Sequence, residues 1–393
     1  MEMVRLGIIG IGNMGSAHAA NVNAGKISGM TLAAICDIDQ RKLDWARENL
    51  NSDVRLFSDY RELLLSGCVD AVVIATPHYL HPDIAVSAFE AGLHVLSEKP
   101  AGVYTAQVER MNEVAKKSGK VFGIMFNQRT NPLFAKAREL VQTGELGEPK
   151  RFVWIITNWY RTQFYYDSGT WRASWNGEGG GVLINQCPHN LDLWQWIFGM
   201  PARINGFCAY GKYHNIEVED DVTAYAEYDN GATAVFITTT GEYPGTNRVE
   251  ISGDKAKLVI ENGTLKMWKL DKPEREICFT AQDSSIRTPP AFTEIVAENG
   301  GEGHNGILQN FTDAILKGTP LLSPGYDGIN ALTISNAIHL SDWTKSQVSL
   351  PIDKELFEKL LREKSEAADK KAEFTSKVGD LHGVLSNRWN VNW

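Results

Sequence analysis

The segment Gly10-Ile-Gly-Asn-Met-Gly15 lies between a short apolar strand, Val4–Ile9, and an amphipathic stretch that begins at Ser16. A second apolar run, Thr31–Cys36, ends in Asp37, 22 residues after Gly15. Strand, glycine turn, helix, strand and acid in this order make a dinucleotide-binding fingerprint. Gly10 permits the tight turn, Gly12 lets backbone approach a pyrophosphate, and Gly15 lets the helix pack closely on the strand. The first helical residues, Asn13 and Met14, present backbone N–H groups where the helix carries partial positive charge, which favours phosphate. Asp37 is placed to accept hydrogen bonds from adenosine ribose hydroxyls. It would repel a 2′-phosphate, so NAD is expected rather than NADP; the first arginine after it is Arg41.

A chain of 393 residues has room for two domains. The first 126 residues alternate strand and helix, as a doubly wound parallel sheet does. Helices are expected over Gln40–Leu50, Tyr60–Ser66, Pro82–Ala91 and Thr105–Ser118. Ala71–Ala75, His94–Leu96 and Val121–Phe126 read as buried strands. From about residue 150 the pattern changes to strands of an antiparallel sheet. These are Arg151–Thr157, Arg203–Tyr210, Val222–Tyr228, Ala232–Thr239, Arg248–Ser252, Lys257–Glu261 and Leu265–Lys269. Hairpin signals stand at Asp229–Gly231, Gly253–Asp254 and Asn262–Gly263. A helical region is inserted around Gly180–Gly199, and helices return at His304–Lys317, Tyr326–Lys345 and Asp353–Lys371; Ala372–Trp393 has no clear period. The expected architecture is α/β: a Rossmann domain over residues 1–126, then an α+β domain over 127–393 with a large, mostly antiparallel open sheet.

A net charge of -9 argues against nucleic acid and against an anionic membrane surface as partners. No apolar run is long enough to span a bilayer, and the N-terminus enters a strand directly, so no signal peptide is expected. Five scattered cysteines, at 36, 68, 187, 208 and 278, read as reduced thiols of a cytoplasmic protein. His78 with His81, or His189 with Asp192, could begin a metal site, but no third ligand stands at suitable spacing, and no metal is expected.

Ligands of open α/β sheets bind outside the carboxyl ends of the strands. That rule singles out Gly10–Gly15, Asp37, Thr76–His81 and Glu98–Pro100. Lys99 ends a strand and would point into this crevice, where desolvation lowers an ammonium pKa; alone it would pass for a solvated loop lysine. His189 is the second candidate. On a helix Asn185, His189 and Asp192 would share one face. Pro188 leaves two possibilities open, a helix that starts there or one that starts near Gly181 and is kinked. A start at Pro188 would place His189 near the dipole's positive end, favouring neutral imidazole, as a base requires. Arg151–Trp175 holds nine aromatic residues in 25, with Asn158, Arg161, Gln163 and Arg172 interleaved. Such rings suit sugar faces and equally suit a core or a subunit contact.

Together these residues resemble the Gfo/Idh/MocA family of oxidoreductases. The matching pieces are Gly10–Gly15, Ala75-Thr-Pro77 with His81, Glu98-Lys-Pro100, Gln128-Arg129 with Asn131-Pro132, Trp171-Arg172, and Gly179-Gly-Gly181 with His189 and Asp192. The resemblance spans about residues 4–345. It implies that Lys99 holds the substrate hydroxyl and that His189 is the acid/base. Asp192 would sit near the substrate or orient neighbours. Thr76, Pro77 and His81 would line the nicotinamide end, with Glu98 and Gln128 near the cofactor. Arg161, Trp171, Arg172 and Asn185 would contact the substrate. Inositol-dehydrogenase-like members usually carry aspartate where this chain has Asn185, and asparagine cannot take a proton.

The expected function is NAD-dependent oxidation of a ring hydroxyl of a sugar, glycoside or cyclitol, with glucoside 3-dehydrogenation favoured over free inositol. Its rivals are an inositol dehydrogenase, an NAD-retaining glycosidase working by transient oxidation and elimination, and a non-catalytic NAD or sugar sensor. A homodimer or homotetramer is expected, because one face of the antiparallel sheet would otherwise stay bare.

Overall fold

The computed structural model describes residues 2–169, 171–285 and 289–368. Among these residues the strands form two sheets. The first holds β1 (Val4–Ile9), β2 (Met30–Cys36), β3 (Arg55–Phe57), β4 (Ala71–Ile74), β5 (His94–Ser97) and β6 (Phe122–Ile124). All are parallel, in the order β3-β2-β1-β4-β5-β6. Val4, Leu6, Ile8 and all of β4 are fully buried, as strands covered on both faces must be. Strand order reverses between β1 and β4, so the crevice at their carboxyl ends opens between Gly10 and Thr76.

The second sheet adds β7 (Pro149–Ile156), β8 (Arg203–Tyr210), β9 (Glu219–Glu227), β10 (Thr233–Thr239), β11 (Asn247–Gly253), β12 (Ala256–Glu261), β13 (Thr264–Lys269), β14 (Ala291–Val296) and β15 (Val348–Ser349). Their order is β14-β13-β12-β11-β7-β10-β9-β8-β15. The pairing is antiparallel except between β7 and β10, which are parallel because the chain makes a long excursion between them. The three hairpin signals join β9 to β10, β11 to β12 and β12 to β13. The Pro188–Phe198 helix covers one face, where Trp194 stacks on Phe152 and Phe236 at 5.9 and 5.8 Å. The Gly328–Thr344 helix packs beside it. On the opposite face Tyr225, Val235 and Val153 lie in register, as do Ile237 and Ile155. Phe207 next to them is 65% exposed.

Several elements carry no signal that the sequence reading used. β3 and β15 are too short to show a period, and β14 is an exposed outer strand. The Pro132–Gln142 helix does announce itself: the Asn131 side chain caps the Leu133 N–H, and proline opens the first turn. The segment 369–393, which takes in the end of the expected Asp353–Lys371 helix and the aperiodic tail, lies outside the described residues.

A division at residue 126 does not divide the core. The Gly303–Lys317 helix returns to the first sheet, where Ile307, Leu308 and Phe311 join Val4, Leu6 and Ile8. It shares that face of β1 with Ala19 and Val22 of the Asn13–Asn23 helix. The Ile124 N–H then donates to the Ser323 carbonyl, sealing the chain onto β6.

Arg129, just past that division, fastens three later segments of the chain together. Its guanidinium donates to both oxygens of Asp192 at 2.9 and 2.6 Å. It also donates to Asp327 at 2.7 Å and to the Leu322 carbonyl at 3.1 Å. Arg129 and Asp192 are each 1% exposed at the side chain. Removing one member of such a pair leaves a buried uncompensated charge. Arg129→Leu should therefore lower unfolding stability by roughly 3–5 kcal/mol, read from urea denaturation.

Candidate active site

The glycine turn is shaped by close approach. A Cβ on Gly15 would lie 1.9 Å from the Gly10 carbonyl oxygen, whereas one on Gly12 would meet nothing within 4 Å. The helix that follows, Asn13–Asn23, begins under this open space with no side-chain cap, leaving its first N–H groups available to an anion. These are the features a pyrophosphate needs. Asp37 ends β2 with its carboxylate engaged by the N–H groups of Ile11 and Asp39, both at 2.9 Å, and by Lys42 at 3.1 Å. Arg41 turns away and forks onto Asp39. The cation beside Asp37 is thus Lys42, in the first turn of the Gln40–Asn49 helix.

Glu98 and Lys99 follow β5. Glu98 does not stand open to a ligand. One carboxylate oxygen meets His18 Nε2 at 2.7 Å, and the other accepts the Lys99 N–H at 3.2 Å. Burial pushes the Glu98 pKa up, but the His18 hydrogen bond and the charges of His18, His304 and Lys99 outweigh it and hold it at about 2. His18 sits on the buried face of the first helix, beside Ser16, Ala19 and Val22, and the sequence reading passes over it; a histidine on a mostly small and apolar face was its only signal. His81 bridges two carbonyls, Pro100 at 2.8 Å and Thr76 at 2.7 Å, and so ties the end of β4 to the turn that carries Lys99. Lys99 Nζ donates to the Asn185 carbonyl at 3.0 Å across the crevice. Burial lowers the Lys99 pKa, against the opposing charges of Glu98, Tyr165 and Glu178.

The second wall comes from the glycine run. A Cβ on Gly179 would lie 2.2 Å from Val103, and one on Gly181 would lie 2.0 Å from the Glu219 carbonyl oxygen. The buried Glu219 carboxylate accepts the N–H groups of Gly181 and Leu183 at 2.9 and 3.1 Å. The helix after this turn starts at Pro188, its first residue. Asn185 therefore lies in the turn ahead of the helix and shares no helical face with His189. Asp192, one turn past His189, faces Arg129 and Gln195 instead of the crevice. His189 is buried, edge-on to Phe126 at 6.3 Å. Burial, with the charges of Lys99 and His304, pushes its pKa well below the ordinary histidine value.

Tyr165 gathers the remaining polar groups. Its hydroxyl accepts from Arg172 at 2.9 Å and from the side-chain amides of Asn185 and Gln186, each at 3.2 Å. The Arg161 and Arg172 guanidinium groups lie over its ring at 5.1 and 4.8 Å. Trp171 stands edge-on to His78 at 5.4 Å. The aromatic segment divides between roles: Phe152 and Trp154 are core, Tyr165 and Trp171 border the crevice, and Tyr160 and Phe164 are exposed.

Buried polar atoms in a folded protein are nearly always hydrogen-bonded. Thr76 Oγ1, Gln128 Oε1, Asn158 Oδ1, Arg161 Nε and Gln186 Oε1 are buried without a partner among the described residues. They come from both halves of the chain, and a ligand with many hydroxyl and amide groups would satisfy them. Among the described residues no three His, Cys, Asp or Glu side chains gather to hold a metal ion, and no helix is long and apolar enough to cross a membrane.

Comparison with known proteins agrees with this geometry. A family model for the NAD-binding Rossmann fold of the Gfo/Idh/MocA oxidoreductases matches residues 4–126, and one for the family's C-terminal domain matches 134–259. The chain is 26% identical to the NAD(+)-dependent scyllo-inositol 2-dehydrogenase of Bacillus subtilis, over 82% of its length and 89% of that protein's. It is 24% identical to the levoglucosan dehydrogenase of Pseudarthrobacter phenanthrenivorans, over 89% of its length and 99% of that protein's. The WlbA dehydrogenase of Bordetella pertussis, solved with NADH and UDP-GlcNAcA, superposes with a TM-score of 0.76 at 25% identity, covering 90% of this chain and 99% of that one. Fold and site define an NAD(P)-dependent oxidoreductase of CH–OH groups. The chain belongs to the Gfo/Idh/MocA family.

The glycine turn gives a direct test. Gly15→Ala forces its methyl group into the Gly10 carbonyl, and strain of this kind costs about 1–3 kcal/mol. NADH affinity should fall roughly tenfold to a hundredfold, measured by fluorescence titration.

Proposed function

We propose that this protein oxidises a ring hydroxyl of a sugar or glycoside with NAD, with the 3-hydroxyl of a glucoside as the favoured target. The observation that carries the reading is the meeting of Lys99 and the Asn185 turn across the crevice, ringed by buried polar atoms that lack partners. A bound nicotinamide would accept the hydride. Lys99 would hold the substrate hydroxyl, and His189 would take its proton. A base must be neutral before it acts, and burial keeps His189 neutral at pH 7. Asp192, held by Arg129, would act at a remove by fixing the helix that carries His189. Thr76, Gln128, Arg161, Trp171 and Arg172 would bind cofactor or substrate from the crevice walls.

Asp37 at the end of β2 supports NAD over NADP, although Lys42 beside it softens the charge a 2′-phosphate would meet. Asn185 where inositol dehydrogenases carry aspartate, together with Trp171 and Tyr165 at the crevice, supports a glycoside over a free cyclitol. The named activities of the two curated relatives, on scyllo-inositol and on levoglucosan, support a ring hydroxyl as the reacting group. A panel of sugars, glycosides and cyclitols, each tried with NAD and with NADP, tests the reading. NADH formation with a glucoside is the expected result. Release of an aglycone without net NADH would replace it with oxidation and elimination on retained NAD, and no turnover at all would leave a sensor. On the accepted substrate, His189→Asn should slow oxidation by on the order of 10²–10⁴-fold with NADH affinity nearly unchanged. At saturating substrate the wild-type rate should fall with acid only below the ordinary histidine pKa of about 6.5.

The open sheet face supports a homo-oligomer. Phe207, Tyr225, Val235, Ile237, Val153 and Ile155 form an apolar stripe of the kind that meets a partner, and a second copy offers the same stripe. Sedimentation should give a dimer or tetramer at micromolar concentration. Phe207→Lys should shift it toward monomer, and an unchanged assembly would place the interface elsewhere.

A further inference from the structure

Glu178 directly precedes the glycine run, is 1% exposed, and belongs to no role assigned above. One of its carboxylate oxygens, Oε2, accepts the Ala173 N–H at 2.6 Å. The other, Oε1, faces the side-chain amide of Asn185, whose Nδ2 donates to it and to the Tyr165 hydroxyl. Asn185 Oδ1 accepts no hydrogen bond among the described residues. An asparagine side chain can present either its NH2 or its oxygen to a ligand, and its neighbours decide which. An ionised carboxylate only accepts hydrogen bonds, so it requires the NH2 to turn toward it.

We propose that Glu178 is a positioning residue: it pins Asn185 Nδ2 into the protein wall and so presents Asn185 Oδ1 to the substrate as an acceptor, selecting a sugar hydroxyl that donates there. The inference rests on the sugar-dehydrogenase reading above. It also accounts for asparagine where inositol dehydrogenases carry aspartate. The carboxylate has moved one layer outward, and the crevice keeps an acceptor without a second charge beside Lys99.

The arrangement is sensitive to protonation. Burial raises the Glu178 pKa, and Glu219 adds to this. Arg172, the Ala173 N–H and the Asn185 amide oppose it, and the balance lies at about 7. The groups that face it are the cations Arg172 and Lys99, the carboxylate of Glu219, the phenols Tyr165 and Tyr166, and His78, whose ring meets the Glu178 carbonyl at 3.1 Å. His78 is held neutral by burial. Because Oε2 is committed to a main-chain N–H, an added proton resides on Oε1, the oxygen facing Asn185. That O–H can donate to Asn185 Oδ1, which lets the amide turn and offer NH2 to the substrate. The acceptor is thus present above pH 7 and lost as pH falls through about 7.

The test uses the full-length enzyme and the substrate accepted in the panel. Wild-type KM for the sugar should rise by about tenfold, the weight of one hydrogen bond, between pH 8 and pH 6, while NADH affinity stays flat. Glu178→Gln can give Oε1 to Ala173 only by turning its own NH2 toward Asn185. It should show the raised KM at every pH, with kcat changed far less. Pairing it with Asn185→Asp restores a donor facing an acceptor and returns an oxygen to the crevice, so the double variant should recover KM to within about threefold. Circular dichroism and NADH titration check that each variant folds. A wild-type KM that does not vary with pH, or a Glu178→Gln enzyme with the wild-type KM profile, overturns this inference and leaves the parent reading intact. Failure of the double variant to recover also overturns it. A wild-type enzyme that forms no NADH with any member of the panel overturns the parent reading and this inference together.

Discussion

The contact between the Gly179–Gly181 turn, Val103 and Glu219 determines what the rest of the site can be. Val103 follows the Lys99 turn, and Glu219 begins β9 of the second sheet, so the turn is clasped between the two halves of the chain. No side chain fits at Gly179 or Gly181, where an added Cβ would come within 2.2 Å of Val103 and 2.0 Å of the Glu219 carbonyl. The buried Glu219 carboxylate takes two main-chain N–H groups of the same turn. This locks the path of the backbone that leads to Asn185 and then to Pro188. Only with that path set does the Asn185 carbonyl meet Lys99 and the helix that carries His189 begin at Pro188.

The electrostatics of the site follow from how buried carboxylates are shared out. Glu98 is given His18, Glu178 is given Asn185, and Asp192 is given Arg129. Each buried charge is thereby hydrogen-bonded, as burial demands. Lys99 is left with a main-chain carbonyl as its hydrogen-bond acceptor. Its proton is held less firmly than in an ion pair, and burial loosens it further. Beside it His189 is kept neutral by the same lack of solvent. A crevice with a loosened ammonium and a neutral imidazole suits removal of a hydroxyl proton at neutral pH. The Arg129 pairing holds the Pro188–Phe198 helix to the segment just after β6 and to Asp327.

The parallel sheet was legible because strands buried on both faces are apolar without interruption, and because the glycine turn allows few alternatives. That Lys99 follows a strand and that His189 stands near a helix start were legible from the company they keep in the chain. His18, Glu178, Tyr165 and Gln186 were not. Each is a polar residue whose meaning comes from a partner far away in sequence, such as Glu98 for His18 or Arg172 and Asn185 for Tyr165. The partner of Asp192 was hidden for the same reason: its spacing from His189 is visible, but the Arg129 that it pairs with stands 63 residues away.

By itself the sequence determined the dinucleotide fold, the change to a mostly antiparallel sheet, and the identities of the groups that end strands at the crevice. These follow from local periodicity and from glycines that no other residue can replace. Tertiary structure alone decided where the helix carrying His189 begins, that Asn185 stands outside it, and that the Gly303–Lys317 helix returns to close the first sheet. It also decided which carboxylates are spent on partners and which polar atoms are left for a ligand. Burial and hydrogen-bond pairing are properties of neighbours in space, and a one-dimensional pattern does not contain them.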